Sequence, residues 1–397
     1  MELLKGLLSL YLPSLIMGLG AGMAIPTIPR LATTFEIVPG LAAQIVTAQL
    51  LGRVLSLLPG GIIVDRLGTR PAMLMGSGMV AVGAFGTAVG PTFVSLLVAQ
   101  LVAGGGTSIW QLGREIAAVD MVQKHQRGRA LSGFFGLSSA GSVFGPVLGG
   151  IVADRADFRA VFWIYLALAL VVLVAALPMR GRRAHVAAAA SPVLSLAAFR
   201  SIAPVYRATF VVLIIATFAA MLRQSSINSL LPLHVGSVLG YSTTELGGLF
   251  GIMGVFSIVM IAPVGFLSDR VGRKAAALPA AALSAVVFIG FPFARELWQL
   301  SALSALAGIA NGFALGAMTT YTYDIAPRES RGKLQAFRRA SGELGGLVGP
   351  SLGGFIATIA TPGVAFLVFS PLHIVSAALL LFVARETLGR TTRDIDP

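Results

Sequence analysis

GIIVDRLGTR (residues 61–70) and GFLSDRVGRK (265–274) are one motif written twice, 204 positions apart. The same offset relates Asp120 to Asp324, and Arg127-Gly128-Arg129 to Arg331-Gly332-Lys333. It also relates Gly145-Pro146 of GSVFGPVLGG (141–150) to Gly349-Pro350 of GELGGLVGPSLGG (342–354). No insertion interrupts these matches over about 90 residues, the mark of a tandem repeat and not of chance.

Working outward, the residues around the motif are apolar. Of 397 residues 56% are hydrophobic and 11% charged, with mean hydropathy +0.87. A soluble domain carries about 25% charged residues, so a bilayer is the natural solvent for this chain. Apolar runs near the ~20 residues that cross a membrane fall at about 7–29, 41–64, 72–90, 93–119, 131–153, 160–178, 206–231, 245–267, 275–294, 297–322, 336–360 and 364–384. They predict an all-α integral membrane protein of twelve transmembrane helices. An even number of spans separates the two motif copies, so the halves point the same way. The expected fold is two six-helix bundles related by pseudo-two-fold symmetry about the membrane normal. The first bundle is expected over 1–178, a cytoplasmic linker over 179–204, and the second bundle with a short tail over 205–397.

The apolar N-terminus resembles a signal peptide, but its repeat partner lies mid-chain, so a retained first helix is expected. Most of the 29 Lys and Arg fall in alternate segments that share the side of the N-terminus. Both termini are therefore expected in the cytoplasm of a multi-pass plasma-membrane protein. Net charge is +13, but these clusters carry no aromatic-basic platform, so nucleic acid is not expected. There is no cysteine, and His125, His185, His234 and His373 show no ligand spacing. Neither a metal nor another cofactor is expected, and no nucleophile, metal cluster or phosphate loop suggests an enzyme. The expected partners are lipid and a small-molecule substrate, with the protein monomeric.

On these residues the chain resembles the major facilitator superfamily of secondary transporters over essentially its whole length. GIIVDRLGTR matches the superfamily signature Gly-x-Leu-Ala-Asp-Arg-x-Gly-Arg-Lys after the second span, and GFLSDRVGRK matches it more closely. The first copy departs at Thr69, where Arg is usual. GSVFGPVLGG is similar to the fifth-span signature of exporters, and LGAGMAIPTIP (19–29) to the drug:proton antiporter branch. The resemblance implies a latch that stabilises the outward-facing state, built from Gly61, Asp65, Arg66, Gly68, Arg70 and Asp120 and their echoes Gly265, Asp269, Arg270, Gly272, Arg273, Lys274 and Asp324. Physically, Gly61 and Gly265 would let backbones approach, and the cations would pair with Asp120 and Asp324. Plain interfacial anchoring is the competing role for the basic residues. Gly141, Gly145, Gly149 and Gly150 with Pro146, and Gly345, Gly349, Gly353 and Gly354 with Pro350, are expected to pack the interface between halves. By resemblance to antiporters they would also control leak there.

Ionisable residues at membrane depth are site candidates because lipid alone tolerates them poorly. Arg53 lies 12 residues before Asp65, roughly 18 Å deep at ~1.5 Å per residue. Arg114 and Arg223 also fall inside apolar runs. With Gln44, Gln49, Trp110, Gln111, Gln224, Asn228 and Asn311 they are expected to line a substrate cavity, each with helix packing as its plainer role. Glu115 and Glu343 are the proton-coupling candidates, since a buried carboxylic acid exchanges protons nearer neutral pH. The plainer roles are an ion pair of Glu343 with Arg339 and charge neutralisation by Glu115. Antiporters usually carry Arg in the outer fourth span, where this chain has Gln100. The expected activity is proton-coupled export of small amphipathic or drug-like solutes by alternating access, driven by the proton gradient. The alternatives are uptake or facilitated diffusion of a sugar, organic anion or lipid, and a non-transporting membrane receptor or scaffold.

Overall fold

The computed structural model describes residues 2–120, 127–178, 196–314, 317–327 and 330–388, with side chains described at 12–117, 140–178, 198–314, 318–327 and 330–388. The described residues are helical and contain no strand. In chain order the helices are α1 (Glu2–Met23), α2 (Ile28–Thr34), α3 (Pro39–Ala42), α4 (Gln44–Leu55), α5 (Leu57–Leu67), α6 (Thr69–Val89), α7 (Phe93–Asp120), α8 (Arg127–Arg155) and α9 (Phe158–Ala176). The repeat follows with α10 (Leu196–Arg200), α11 (Pro204–Pro232), α12 (Thr243–Arg270), α13 (Arg273–Gly290), α14 (Leu297–Ala314), α15 (Ala317–Ile325), α16 (Arg331–Ile359) and α17 (Pro362–Phe382).

Among the described residues nine segments are long and apolar enough to cross a membrane, and α4 with α5 makes a tenth. α8 and α16, 29 residues each, complete twelve spans in two six-helix halves. These two carry the Gly-Pro motifs, which lower their hydropathy but not their length. Exposed Phe144, Trp163, Val171, Phe266 and Phe355 form outer surfaces suited to lipid.

The run expected as one span at 41–64 is broken instead. α4 and α5 meet at Ser56 with a bend of 42°. The cause is Pro59, which lacks an N–H and whose ring crowds the carbonyl of Leu55 four residues earlier.

The described residues of 1–188 and 232–251 form one compact unit, and those of 189–231 and 252–397 the other. The first is cored by Val80, Leu96, Phe158, Phe162, Tyr165 and Val172. The second is cored by Tyr206, Phe210, Leu213, Tyr321, Ile325 and Leu380. The stretch 232–251 groups with the first unit because small residues let it approach closely. A Cβ on Gly236 would sit 2.6 Å from the Pro29 ring, and one on Gly150 2.2 Å from the Thr243 carbonyl oxygen.

Candidate functional site

In the first unit the polar candidates collect on α7. Four-residue spacing puts Trp110 below Arg114 and Gln111 below Glu115. The Arg114 guanidinium is buried and lies 4.1 Å from the centre of the Trp110 ring. Gln111 Nε2 donates to Glu115 Oε1 at 3.2 Å. Glycines press the neighbouring helices onto this one. A Cβ on Gly76 of α6 would lie 2.5 Å from the Trp110 backbone nitrogen, and one on Gly52 of α4 would collide with the Leu101 carbonyl oxygen.

Arg53, expected as the deepest cation, is only half-buried, whereas Arg114 and Arg223 are fully buried. Gly52 occupies the contact face of α4, so the next residue is turned some 100° away from it. Gln44 and Gln49 are half-buried on the same helix. Gln100 donates from Nε2 to Thr87 Oγ1 at 3.0 Å, a buried bond that ties α7 to α6 without charge.

In the second unit Arg223 Nη2 donates to Asn311 Oδ1 at 3.1 Å, and Asn311 Nδ2 donates to Ser257 Oγ at 2.9 Å. Gln224 and Asn228, on the same helix, are half-buried. Arg338, seven residues into α16, is buried. It donates to Thr217 Oγ1 at 3.1 Å, to Thr319 Oγ1 at 3.0 Å and to Gln335 Oε1 at 3.0 Å. Its acceptors are all neutral. Glu343 is half-buried five residues further along α16. Arg339 is exposed, and among the described residues it forms no ion pair with Glu343.

The second motif copy builds an ionic cluster within its own unit. Arg273 is the hub. Its Nε donates to Asp324 Oδ2 at 2.8 Å and its Nη1 to Asp269 Oδ1 at 2.9 Å. Glu386 was not singled out by the sequence. Its carboxylate accepts from the Arg273 and Lys274 backbone N–H groups at 2.8 and 3.0 Å, at the positive end of the α13 dipole. Burial raises the pKa of Glu386, but the backbone N–H groups of Arg273, Leu388, Thr387 and Lys274 outweigh it and hold the group below the usual carboxylate range. Gly272 makes the approach possible. Its φ is +141°, and a Cβ there would collide with Glu386 Oε2.

Other parts of the expected latch differ. Lys274 Nζ donates to the Leu381 carbonyl at 2.5 Å, and Arg270 stacks over Phe266 at 4.4 Å, so neither pairs with Asp324. Among the described residues nothing lies within 4 Å of a Cβ built on Gly61 or Gly265, so these glycines make no close helix contact there. In the first copy Gly68 keeps a positive φ of 99°, but buried Thr69 stands where Arg273 would, so that hub is missing. Arg66 is exposed and Arg70 half-buried, Asp65 is half-buried, and the side chain of Asp120 lies outside the described residues.

The four-residue glycine stripes pack within their own half, whereas Gly150 and Pro146 meet α12 of the other. Cβ atoms on Gly141, Gly145 and Gly149 would fall 2.3, 2.5 and 2.2 Å from the carbonyl oxygens of Leu15, Leu19 and Met23 on α1. On Gly345 a Cβ would fall 2.2 Å from the Phe218 carbonyl oxygen of α11, and on Gly349 2.3 Å from Ser225 Oγ. Gly353 faces Leu230, and Gly354 is buried beside it. The four-residue stripes expected between halves therefore seat α8 on α1 and α16 on α11. The adjacent face of α8 meets the start of α12. Beyond Gly150, the Pro146 carbonyl oxygen lies 2.4 Å from where Gly247 would place a Cβ. Asp154, also unflagged by the sequence, accepts from Thr243 Oγ1 at 2.6 Å, from Thr244 N at 2.7 Å and from Arg30 Nη2 at 3.1 Å. The run Ser242-Thr-Thr-Glu245 forms a capping box beside it, a start signal legible in sequence.

Helical halves built on a duplicated loop motif, with buried cations at span depth, define a secondary-transporter architecture. The Major Facilitator Superfamily profile matches the chain twice, over residues 10–216 and 213–396, and the chain belongs to that superfamily. It is 26% identical over 282 residues to Multidrug resistance protein MdtG of Enterobacter lignolyticus (strain SCF1), covering 67% of this chain and 62% of that protein. It is 24% identical over 322 residues to Multidrug resistance protein MdtG of Salmonella choleraesuis (strain SC-B67), covering 73% of this chain and 74% of that protein. The solved D-xylose-proton symporter superposes with TM-score 0.76 at 17% identity, covering 98% of this chain and all of that one. The peptide transporter POT gives 0.79 at 13%, covering 96% and 94%. At these identities the two structures show the shared fold. The chain spans 62% of the first of these relatives' length, and membership of the superfamily makes it a multi-pass membrane protein of a transporter family.

Proposed function

We propose that the chain exports small amphipathic or drug-like solutes in exchange for protons, with both termini cytoplasmic. Similarity to proteins named for multidrug resistance and the exporter-like α8 motif support the direction and the solute class. The observation that carries proton coupling is Glu343. It is a half-buried carboxylate twelve residues into α16, and among the described residues no cation neutralises it. A carboxylate at span depth without a counter-charge is costly in lipid and is retained where a transport mechanism uses it. Arg114, buried against Trp110, is a second ionisable group at span depth, in the first half.

The test is transport of a fluorescent cationic drug into proteoliposomes under an imposed pH gradient. Glu343→Gln is expected to lose at least tenfold of gradient-driven uptake while drug-for-drug counterflow continues. Unchanged gradient-driven uptake in the variant would remove Glu343 from the coupling. Wild-type counterflow indifferent to a gradient of either sign would replace exchange with facilitated diffusion.

A further inference from the structure

The hairpin of residues 232–251 belongs to one unit by packing and to the other by chain. It packs with the first unit, whereas Leu231 before it and Ile252 after it belong to the second. α12 is 28 residues long and carries the duplicated loop at its Arg270 end. Its start at Thr243 therefore lies at the opposite membrane face, the outer one in the topology proposed above.

The joints on either side of the hairpin are irregular. α11 ends at Pro232, and the chain continues as a π-helical turn, Leu233–Val238, a wider winding frequent at functional sites. Gly240 then turns the chain with φ +78°. On the other side Gly247, Gly248, Gly251 and Gly254 fall within eight residues of α12 and weaken its hold on helical form. The glycines also seat the hairpin. A Cβ on Gly236 would crowd the Pro29 ring, and one on Gly251 would lie 2.7 Å from Val147 Cγ2. Such van der Waals contacts separate and re-form without stranding a charge.

The polar tie is at the start of α12. A helix start leaves its first N–H groups without acceptors in the helix. The capping box serves one of them, Ser242 Oγ accepting from Glu245 N at 3.2 Å. The next two are served from α8. Asp154 accepts from Thr243 N at 3.2 Å, from Thr244 N at 2.7 Å and from the Thr243 hydroxyl at 2.6 Å. The carboxylate thus also faces the positive end of the α12 dipole. Its fourth partner, Arg30 Nη2 at 3.1 Å, lies on α2 of the first unit. Asp154 therefore keeps a counter-charge if the hairpin departs, and no buried charge is left unpaired. The repeat supplies no second copy, since Thr358 stands 204 positions after Asp154.

A segment packed on one body and continuous with another must leave the first before the two can part at that end. We propose that residues 232–251 form a lid on the outer side and that Asp154 is its latch. The carboxylate holds the start of α12 on α8 while that side is shut and releases it each time that side opens. The lid rests on alternating access in the superfamily and not on which solute or ion is carried; only the word outer rests on the proposed topology.

The experiment uses the full chain in lipid nanodiscs, with spin labels at Ser237→Cys on the hairpin and Pro91→Cys between α6 and α7. Both positions are exposed, and the chain has no cysteine of its own. Wild type is expected to show one dominant distance. Asp154→Asn removes the charge from three hydrogen bonds to the hairpin and is expected to raise the population of a second, longer distance about tenfold. Thr243→Val removes one donor, keeps the shape, and is expected to raise the same longer distance severalfold. Asp157→Asn is the control. Asp157 lies three residues on but accepts from Phe158 N, the start of its own α9, and its variant is expected to keep the wild-type distribution. An unchanged distribution in both Asp154→Asn and Thr243→Val, or an equal shift in Asp157→Asn, would overturn the latch. These distances are indifferent to which membrane face the hairpin occupies, so an inverted topology would relocate the lid without removing it.

Discussion

At the scale of residues, the basic and acidic groups of the duplicated loop are not equivalent. Arg273 reaches Asp324, whose side chain is 29% exposed, and Asp269, whose side chain is 76% exposed. A mostly solvated pair contributes under about 1 kcal/mol, while a partly buried charged hydrogen bond contributes about 1.5–3 kcal/mol. Asp324→Asn is therefore expected to lower the melting temperature of the purified protein clearly, and Asp269→Asn hardly at all. The reverse order would show that Arg273 is organised by α12 and not by α15. Glu386 adds a pH dependence of known sign. Its folded pKa is depressed, so its contribution is present above the unfolded value of roughly 4.3 and is lost as pH falls through the lower folded value. Glu386→Gln is expected to flatten the acid limb of stability against pH and to leave the neutral region with the same slope. Asp269 and Asp324 were singled out from the repeat, but Glu386 was not legible locally. Arg273 and Asp269 share a motif, but Glu386 lies 113 residues away, and a tail carboxylate reads as solvated until the fold returns it to a helix start.

At the scale of helices, composition announced where spans lie but not which faces touch. Glycines at every fourth position of α8 and α16 are legible as a bare stripe, and the sequence says nothing of what fills it. The structure gives the stripe to α1 and α11. Adjacent glycines of α16 make the sharpest comparison. A Cβ on Gly345 would lie 2.2 Å from a backbone oxygen of Phe218, and among the described residues nothing lies within 4 Å of one on Gly346. Gly345→Ala is expected to destabilise by about 1–3 kcal/mol through forced backbone separation. Gly346→Ala is expected to be neutral or slightly stabilising, since alanine favours helix. Thermal melting of the two variants side by side checks this. If Gly345→Ala melts with wild type, the α11–α16 contact is looser than the geometry requires.

At the scale of the whole molecule, orientation rests on the distribution of Lys and Arg. The chain has no cysteine, so single cysteines report topology without background. Lys274→Cys is expected to react with an impermeant maleimide only from the cytoplasmic face, and Arg295→Cys only from the opposite face. Labelling with the sides exchanged would invert the proposed topology and the direction of transport with it. The two halves share a backbone plan, but their polar interiors differ. Arg223 and Arg338 have no counterpart 204 positions earlier, where Leu19 and Phe134 stand, and Arg273 is answered by Thr69. The duplication thus supplies one scaffold with two chemistries.

The sequence by itself determined the class, the number of spans and the repeat, because hydropathy and a fixed offset are one-dimensional properties that the bilayer and gene duplication impress on the chain directly. It also named most polar candidates, since ionisable residues stand out against an apolar background. Only the tertiary structure decided which of them are buried together. Arg53 proved half-exposed, Arg338 buried, and Arg223 and Asn311 neighbours. Those outcomes depend on helix rotation and close approach, which glycines and prolines permit but which only the packing of distant segments fixes.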